Sequence, residues 1–269
     1  MLKHVALCLL ACATAAAARA EEKGGNLQEA SQNPIASLIS VPFQNNFYFG
    51  VGELDNTQYV LNFQPVIPIK LNDDWNLIFR PITPIIDKPK LFDGDSDEFG
   101  LGDINPQLFF VPSKPVETGL GSMTWGVGPA FVLPTATDDS LGTGKWSAGP
   151  AAVAFFANAP WTYGALVSNV WSVAGDSDRE DVNQLAVQPF LNYNLAEGWS
   201  FGTAPVITAN WNAASGDVWT VPLGGGVSKL FTVRKQPVKA SLNGYYNVVA
   251  PDLGPDWQLQ FQVIFLFPR

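Results

Sequence analysis

Trp257-Gln-Leu-Gln-Phe-Gln-Val-Ile-Phe-Leu-Phe267 is the stretch that decides the fold. Trp257, Leu259, Phe261, Val263, Phe265 and Phe267 are apolar, and Gln258, Gln260 and Gln262 alternate with them. A period of two is a β-strand with one oily face and one polar face. A tilted strand needs about 9–11 residues to cross a bilayer, which this stretch supplies. Eleven further candidates lie upstream, several with the same alternation, at 41–50, 58–69, 75–85, 99–111, 123–133, 145–156, 161–172, 183–193, 199–211, 217–230 and 237–249. The expected fold is all-β: a closed antiparallel transmembrane up-and-down β-barrel of about 12 strands, an even count as bacterial barrels require.

Working outward, residues 1–20 read as a secretory signal. Lys3 supplies the positive start, Val5 to Ala18 a short apolar run, and Ala18-Arg19-Ala20 the cleavage site. The rival reading, a lipoprotein box at Leu9-Leu10-Ala11-Cys12, has too short an apolar run before Cys12 and an awkward Leu10. The run also falls short of the ~20 residues of a membrane helix, and no run of 18 apolar residues follows it. Residues 21–40 form an N-terminal periplasmic lead-in, and 41–269 the barrel. Within the lead-in, Asn33-Pro34 has the pattern of a helix N-cap followed by proline at the first helical position. That makes a short helix or an ordered lead-in at the barrel mouth.

Loss of the signal would remove Cys8, Cys12 and the only histidine, His4. Cysteine nucleophiles, Ser-His-Asp triads and histidine zinc sites go with them. No catalytic residue, metal site or cofactor is therefore expected. Lys3 and Arg19 also leave, so the mature charge is 13 − 24 = −11, which disfavours nucleic acid as a partner. Charged residues make up only 14% of the chain, against about 25% in soluble domains, as suits a wall that meets lipid.

The connections fall into two sets. One is short, at Asn72-Asp73-Asp74, Asn158-Ala159-Pro160, Ala196-Glu197-Gly198 and Arg234-Lys235-Gln236, with a longer turn at 112–122. The other is mostly longer and acidic, holding sixteen of the 24 acids, from Glu53 and Asp55 to Asp252 and Asp256. Short periplasmic turns and longer outer loops are the expected asymmetry. All nine tryptophans lie near strand ends: Trp75, Trp125, Trp161 and Trp199 on the short-turn side, the other five on the acidic side. Two membrane interfaces select for two such girdles. A soluble β-sandwich would scatter its core tryptophans to mid-strand, and the other soluble reading, a secreted β-protein that binds carbohydrate through exposed tryptophans, predicts periplasmic release without detergent. Proline is the awkward feature. Eight sit mid-strand (Pro65, Pro81, Pro106, Pro129, Pro150, Pro189, Pro205, Pro222), each removing a ladder donor, and all but Pro222 fall on the apolar face.

Few charges fall within strands. Arg80 and Asp103 lie on the polar faces of adjacent strands, and an Arg80–Asp103 pair projecting into the lumen is expected. It reads either as a constriction that touches solute or as a pair that stabilises the interior. Gln64, Arg80, Asp103, Gln107, Gln188 and Gln258 are the candidate lumen and solute contacts. Asp93-Gly-Asp-Ser-Asp-Glu98 lacks the glycine and the terminal glutamate of a calcium loop, and Gly142-Thr-Gly-Lys145 lacks P-loop spacing.

Trp125-Gly-Val-Gly-Pro-Ala-Phe-Val-Leu-Pro-Thr-Ala-Thr-Asp138 and Leu141-Gly-Thr-Gly-Lys-Trp146 carry a resemblance, with Asn33-Pro-Ile-Ala36, Val41-Pro-Phe-Gln-Asn-Asn46, Phe99-Gly-Leu-Gly-Asp103 and Gln188-Pro-Phe-Leu191. Over residues 33–269 the chain resembles the outer-membrane proteins grouped as the MetA pathway of phenol degradation, often labelled "transporter" or "neuromedin U". The resemblance implies an outer-membrane channel or facilitator for small aromatic or hydrophobic solutes. Its partners would be outer-membrane lipid and lipopolysaccharide, the barrel-assembly machinery and a small-molecule solute, with the protein a monomer. The alternative is a structural or adhesive barrel whose acidic loops bind divalent cations.

Overall fold

The computed structural model describes residues 27–268, so the signal sequence and its cleavage site lie outside the described residues. Twelve wall strands follow the lead-in. They are β1 (Ile39–Val51), β2 (Asn56–Phe63, resumed as Ile67–Lys70), β3 (Trp75–Lys88), β4 (Glu98–Leu101, resumed as Asn105–Pro112), β5 (Gly121–Val132) and β6 (Lys145–Asn158). Then come β7 (Trp161–Gly175), β8 (Asn183–Asn194), β9 (Trp199–Thr203, resumed as Ile207–Asn210), β10 (Trp219–Val233), β11 (Gln236–Val249) and β12 (Trp257–Phe267). Each of the twelve sequence candidates overlaps one of them. A short strand, Val116–Thr118, extends the turn before β5.

Every pairing is antiparallel, and successive strands are neighbours. The decisive contact joins the ends of the chain: β1 pairs with β12 from Ile39↔Phe267 to Phe49↔Trp257 without a break. The sheet closes, leaving no edge.

The apolar residues of the opening stretch face outward, Phe261 and Phe265 being exposed, while Gln260 is buried inside. Eight of the nine tryptophans are exposed, in two girdles. On the short-turn side Trp75 packs edge-on to Trp125 at 5.9 Å, Trp161 meets Tyr193 at 4.7 Å, and Lys229 lies 4.5 Å over the Trp199 ring. On the acidic side Trp211 meets Trp219 at 5.4 Å and Tyr246 meets Trp257 at 4.7 Å.

Seven of the eight mid-strand prolines are accommodated in three ways, and Pro189 stands opposite Ala165 in an unbroken ladder. Pro65 and Pro205 sit in the breaks of β2 and β9, and a register shift in β10 falls at Val221/Pro222. Pro81 faces Pro106 and Pro129 faces Pro150, so missing donors cluster at two levels of the wall. Strict alternation puts Pro205 on the apolar face. Instead it lines the interior, because the break at 204–206 shifts the phase.

Inside, the apolar residues of one side form a closed core: Phe109, Val111, Ala130, Ala151, Val153, Phe155, Leu166, Val170 and Phe190. Ile35 of the lead-in is packed among them, only 1% exposed. Phe261 stands at the centre of β12 on the lipid face. Phe261→Arg should cost about 2–4 kcal/mol of barrel stability in lipid, whereas Gln262→Arg, on the lumen face, should cost little. Equilibrium unfolding in vesicles, followed by heat-modifiable gel migration, measures both. Equal losses would overturn this register.

Candidate functional site

β1 projects Pro42, Gln44, Asn46 and Tyr48 inward, and β12 projects Gln258, Gln260 and Gln262 beside them. Period-two alternation places amides at adjacent levels on neighbouring strands, and they bond into a belt. Gln64 Nε2 and Gln262 Nε2 donate to Gln44 Oε1 at 2.9 and 3.3 Å. Gln44, Gln258 and Gln260 each donate to Asn46 Oδ1 at 3.0–3.1 Å, and Asn243 donates to Gln260 Oε1 at 3.2 Å. Asn46 is fully buried at the centre and donates to the Val60 carbonyl.

Arg80 ends the belt. Its Nη1 donates to Gln107 Oε1 and its Nη2 to Gln64 Oε1, both at 3.0 Å. The expected Arg80–Asp103 pair is absent. The register puts Gln107 opposite Arg80, and Asp103 lies four residues further along β4, about 13 Å at the rise of a strand. Asp103 sits in the break of β4, where its carboxylate turns to the loop joining β5 and β6. Oδ2 accepts from Thr143 N at 2.6 Å and Thr143 Oγ1 at 2.8 Å, and Oδ1 accepts from Ala136 N at 3.2 Å. Thr135 and Thr137 of the same loop accept from Ile104 N and Leu101 N, replacing the ladder bonds that the break removes. Gly142 is required for this approach: a Cβ there would stand 2.5 Å from Asp103 Oδ1.

All six sequence candidates line one cavity of about 450 Å³: Gln64, Arg80, Asp103, Gln107, Gln188 and Gln258. Gln188 reaches it from the opposite wall and donates to the Ala204 carbonyl at 3.3 Å, beside the break of β9. Leu166, Ala186, Pro205 and Val206 lie on that wall together with Ser168, Thr208 and Tyr245, so the cavity is amide-lined on one side and mixed apolar and hydroxyl on the other. A smaller cavity of about 150 Å³ lies beyond Arg80 towards the short turns and shares Gln44, Gln64, Arg80, Gln188 and Gln260 with the first. Sequence reasoning passed over Gln44, Asn46 and Lys239. In β1 the run Gln44-Asn45-Asn46 hides the alternation, but Lys239, Ser241 and Asn243 alternate with Val238, Ala240 and Leu242 and were legible.

The lead-in makes the floor. Residues 27–30 form a helical turn, and Asn33-Pro34 begins a turn, so of the two expected forms the ordered lead-in is the one present: Asn33 Oδ1 accepts from Ile35 N at 3.0 Å. The chain crosses the barrel and is held by the far wall. Gln28 Nε2 donates to the Trp199 carbonyl at 2.8 Å and to Ser200 Oγ at 2.7 Å. Gln32 Nε2 donates to Asn194 Oδ1 at 2.7 Å, and Gln32 Oε1 accepts from Thr162 Oγ1 at 2.6 Å. Ala36 and Leu38 pack on Ile264 and Leu266. Ser31, Gln32, Asn33 and Pro34 thereby bound the smaller cavity from below.

The outer loops are clasped. Arg179 donates to the carbonyls of Asp139 (2.8 Å) and Gly142, and Lys145 pairs with Asp181 at 3.2 Å. The Lys145 hydrogen bond, then that of Ser172, holds the Asp181 carboxyl below the usual carboxylate range. A depressed carboxyl stabilises above its unfolded value, so this clasp is lost only as pH falls through its own lower value.

No family model and no curated protein matches the sequence. Solved structures do. An outer-membrane channel from Pseudomonas putida F1 superposes with a TM-score of 0.62 at 16% identity, over 86% of this chain and 94% of that one. The NanC porin superposes at 0.50 and 10% identity, over 85% of this chain and all of that one. The outer-membrane phospholipase A of Escherichia coli follows at 0.47 and 11%, over 84% and 92%. With the closed wall, the apolar outer face and the two girdles, the chain has the fold of an outer-membrane β-barrel.

Two predictions concern what lines the lumen. Asp103→Ala should free the β5–β6 loop at a cost of about 1.5–3 kcal/mol, seen as new proteinase K cleavage within residues 133–144. Replacing Gln28 and Gln32 together by alanine should expose residues 27–38 to the same protease while the barrel stays heat-modifiable.

Proposed function

We propose that this protein is an outer-membrane channel or facilitator for small solutes, with its short turns in the periplasm. The carrying observation is the pair of cavities stacked along the lumen, sharing an amide belt that faces apolar side chains interspersed with hydroxyls. The amides supply donors and acceptors that orient a polar group. Leu166, Ala186, Pro205 and Val206 give hydrocarbon or an aromatic ring an apolar surface to lie on. The fold likeness to a channel and a porin supports the reading, and so does the sequence resemblance to the phenol-pathway family. Small aromatic or hydrophobic molecules are the proposed solutes. Gln64, Arg80, Gln107, Gln188 and Gln258 are the proposed contacts, with Asp103 holding the loop above them.

A second reading is favoured by the floor: a barrel closed at its short-turn end is structural, with acidic loops facing divalent cations at the cell surface. Planar-bilayer recording separates the two. A channel gives stepwise conductance, and the Gln28→Ala/Gln32→Ala variant should open more often by at least about tenfold, as loss of the four hydrogen bonds described above, at about 0.5–1.5 kcal/mol each, would allow. Silence from both proteins, with intact heat-modifiability, would favour the structural barrel.

A further inference from the structure

Among the described residues, two cations inside this lumen have no counter-ion. Arg80 gives two hydrogen bonds to neutral glutamine oxygens and has no ion pair among the described residues. A guanidinium has five N–H donors, so three remain for a ligand. Lys239, on the inner face of β11, is only 8% exposed and makes neither a hydrogen bond nor an ion pair among the described residues. Both line the smaller cavity, and its described lining holds no aspartate or glutamate. Asp103, the one acid lining the larger cavity, has both oxygens engaged by Thr143 and Ala136.

Burying an ammonium without a partner is costly, and a fold gains nothing from leaving two cations unpaired in one cavity. The surroundings point to what occupies them. Val66, Phe190 and Ile264 line the same cavity, so the cations face apolar surface as well as amides. The acidic outer loops do not cancel the field at this level. Lys88 ends β3 eight residues above Arg80, about 25 Å along the strand, against a screening length of about 8 Å in physiological salt.

We infer that the cavity between Arg80 and the floor is a binding site for a small organic anion, one carboxylate on a short hydrocarbon body, and that Arg80 and Lys239 select for it. Arg80 presents a planar fork that matches a carboxylate, Lys239 adds a point charge from the other side, and the apolar wall takes the hydrocarbon. This rests on the channel reading for its passage across the membrane, but the binding site stands independently of conduction.

Isothermal titration of the detergent-folded full chain with hexanoate, hexan-1-ol and hexylammonium tests the site. Hexanoate should bind, with hexanol and hexylammonium at least about tenfold weaker, and Lys239→Met or Arg80→Gln should each weaken hexanoate about tenfold, the worth of one charge-assisted hydrogen bond. Lys239→Arg should restore binding, which a merely structural lysine would not predict. Each variant is first shown to be heat-modifiable. Equal binding of hexanoate and hexanol, or a preference for hexylammonium, would overturn the inference. Reversal potentials across a potassium chloride gradient give the second readout. Anion-selective current that shifts towards cations in the Arg80→Gln/Lys239→Met variant supports it, and cation-selective current in the native chain overturns it while leaving the channel intact. Absence of any current would sink the channel reading alone, and the hexanoate titration would still decide the site.

Discussion

The eleven facing residues of β1 and β12 are what the rest of this structure depends on. In hydrocarbon an unpaired backbone group has no water to turn to, so a sheet survives there only if its first strand meets its last. Closure then fixes the interior. Each inward residue is forced into a shared lumen, and its neighbours are chosen by register. Gln44 meets Gln64 and Gln262, and Asn46 meets Gln258 and Gln260, because antiparallel pairing sets those positions side by side.

Where the ladder fails, something replaces it. The break in β4 is bridged by Thr135, Thr137 and Asp103, which tie it to the loop between β5 and β6. Both segments of that lock, Phe99-Gly-Leu-Gly-Asp103 and the run through Thr135-Ala-Thr137, stand out in the sequence by their small residues and threonines. Their physical content is a non-ladder seal at the outer rim, with Gly142 admitting the close approach. In β9 the break at 204–206 is met instead by Gln188 and by the Tyr245 hydroxyl, which accepts from Ala204 N at 3.3 Å.

The wall was largely legible because alternation, girdles and loop asymmetry are one-dimensional signals. Strand number, direction of the faces and the six inward residues all follow from parity. What parity cannot supply is register between neighbours or a phase shift within a strand. The Arg80–Asp103 pair fails on the first, since adjacent strands with correct inward faces can still be offset by four residues. Pro205 fails on the second. The lead-in shows a third limit: Asn33-Pro34 is a sound helix start in isolation. Here Ile35 enters a buried apolar pocket while Gln28 and Gln32 are anchored across the barrel, so of the two expected forms tertiary contacts select the ordered lead-in over the helix.

The crossing of the lead-in through the lumen has a topological consequence. Gln32 meets Thr162 and Asn194, 130 and 162 residues away along the chain, while the wall around them is sealed by the last strand against the first. A segment that precedes β1 and ends up enclosed must be within the ring when the seam forms, or be drawn in afterwards through the short-turn mouth. The seam is therefore an ordering event in assembly as well as a bond. Whatever delays β12 from joining β1 prolongs the interval in which the amides, the two cations and the apolar wall all face an open, curved sheet.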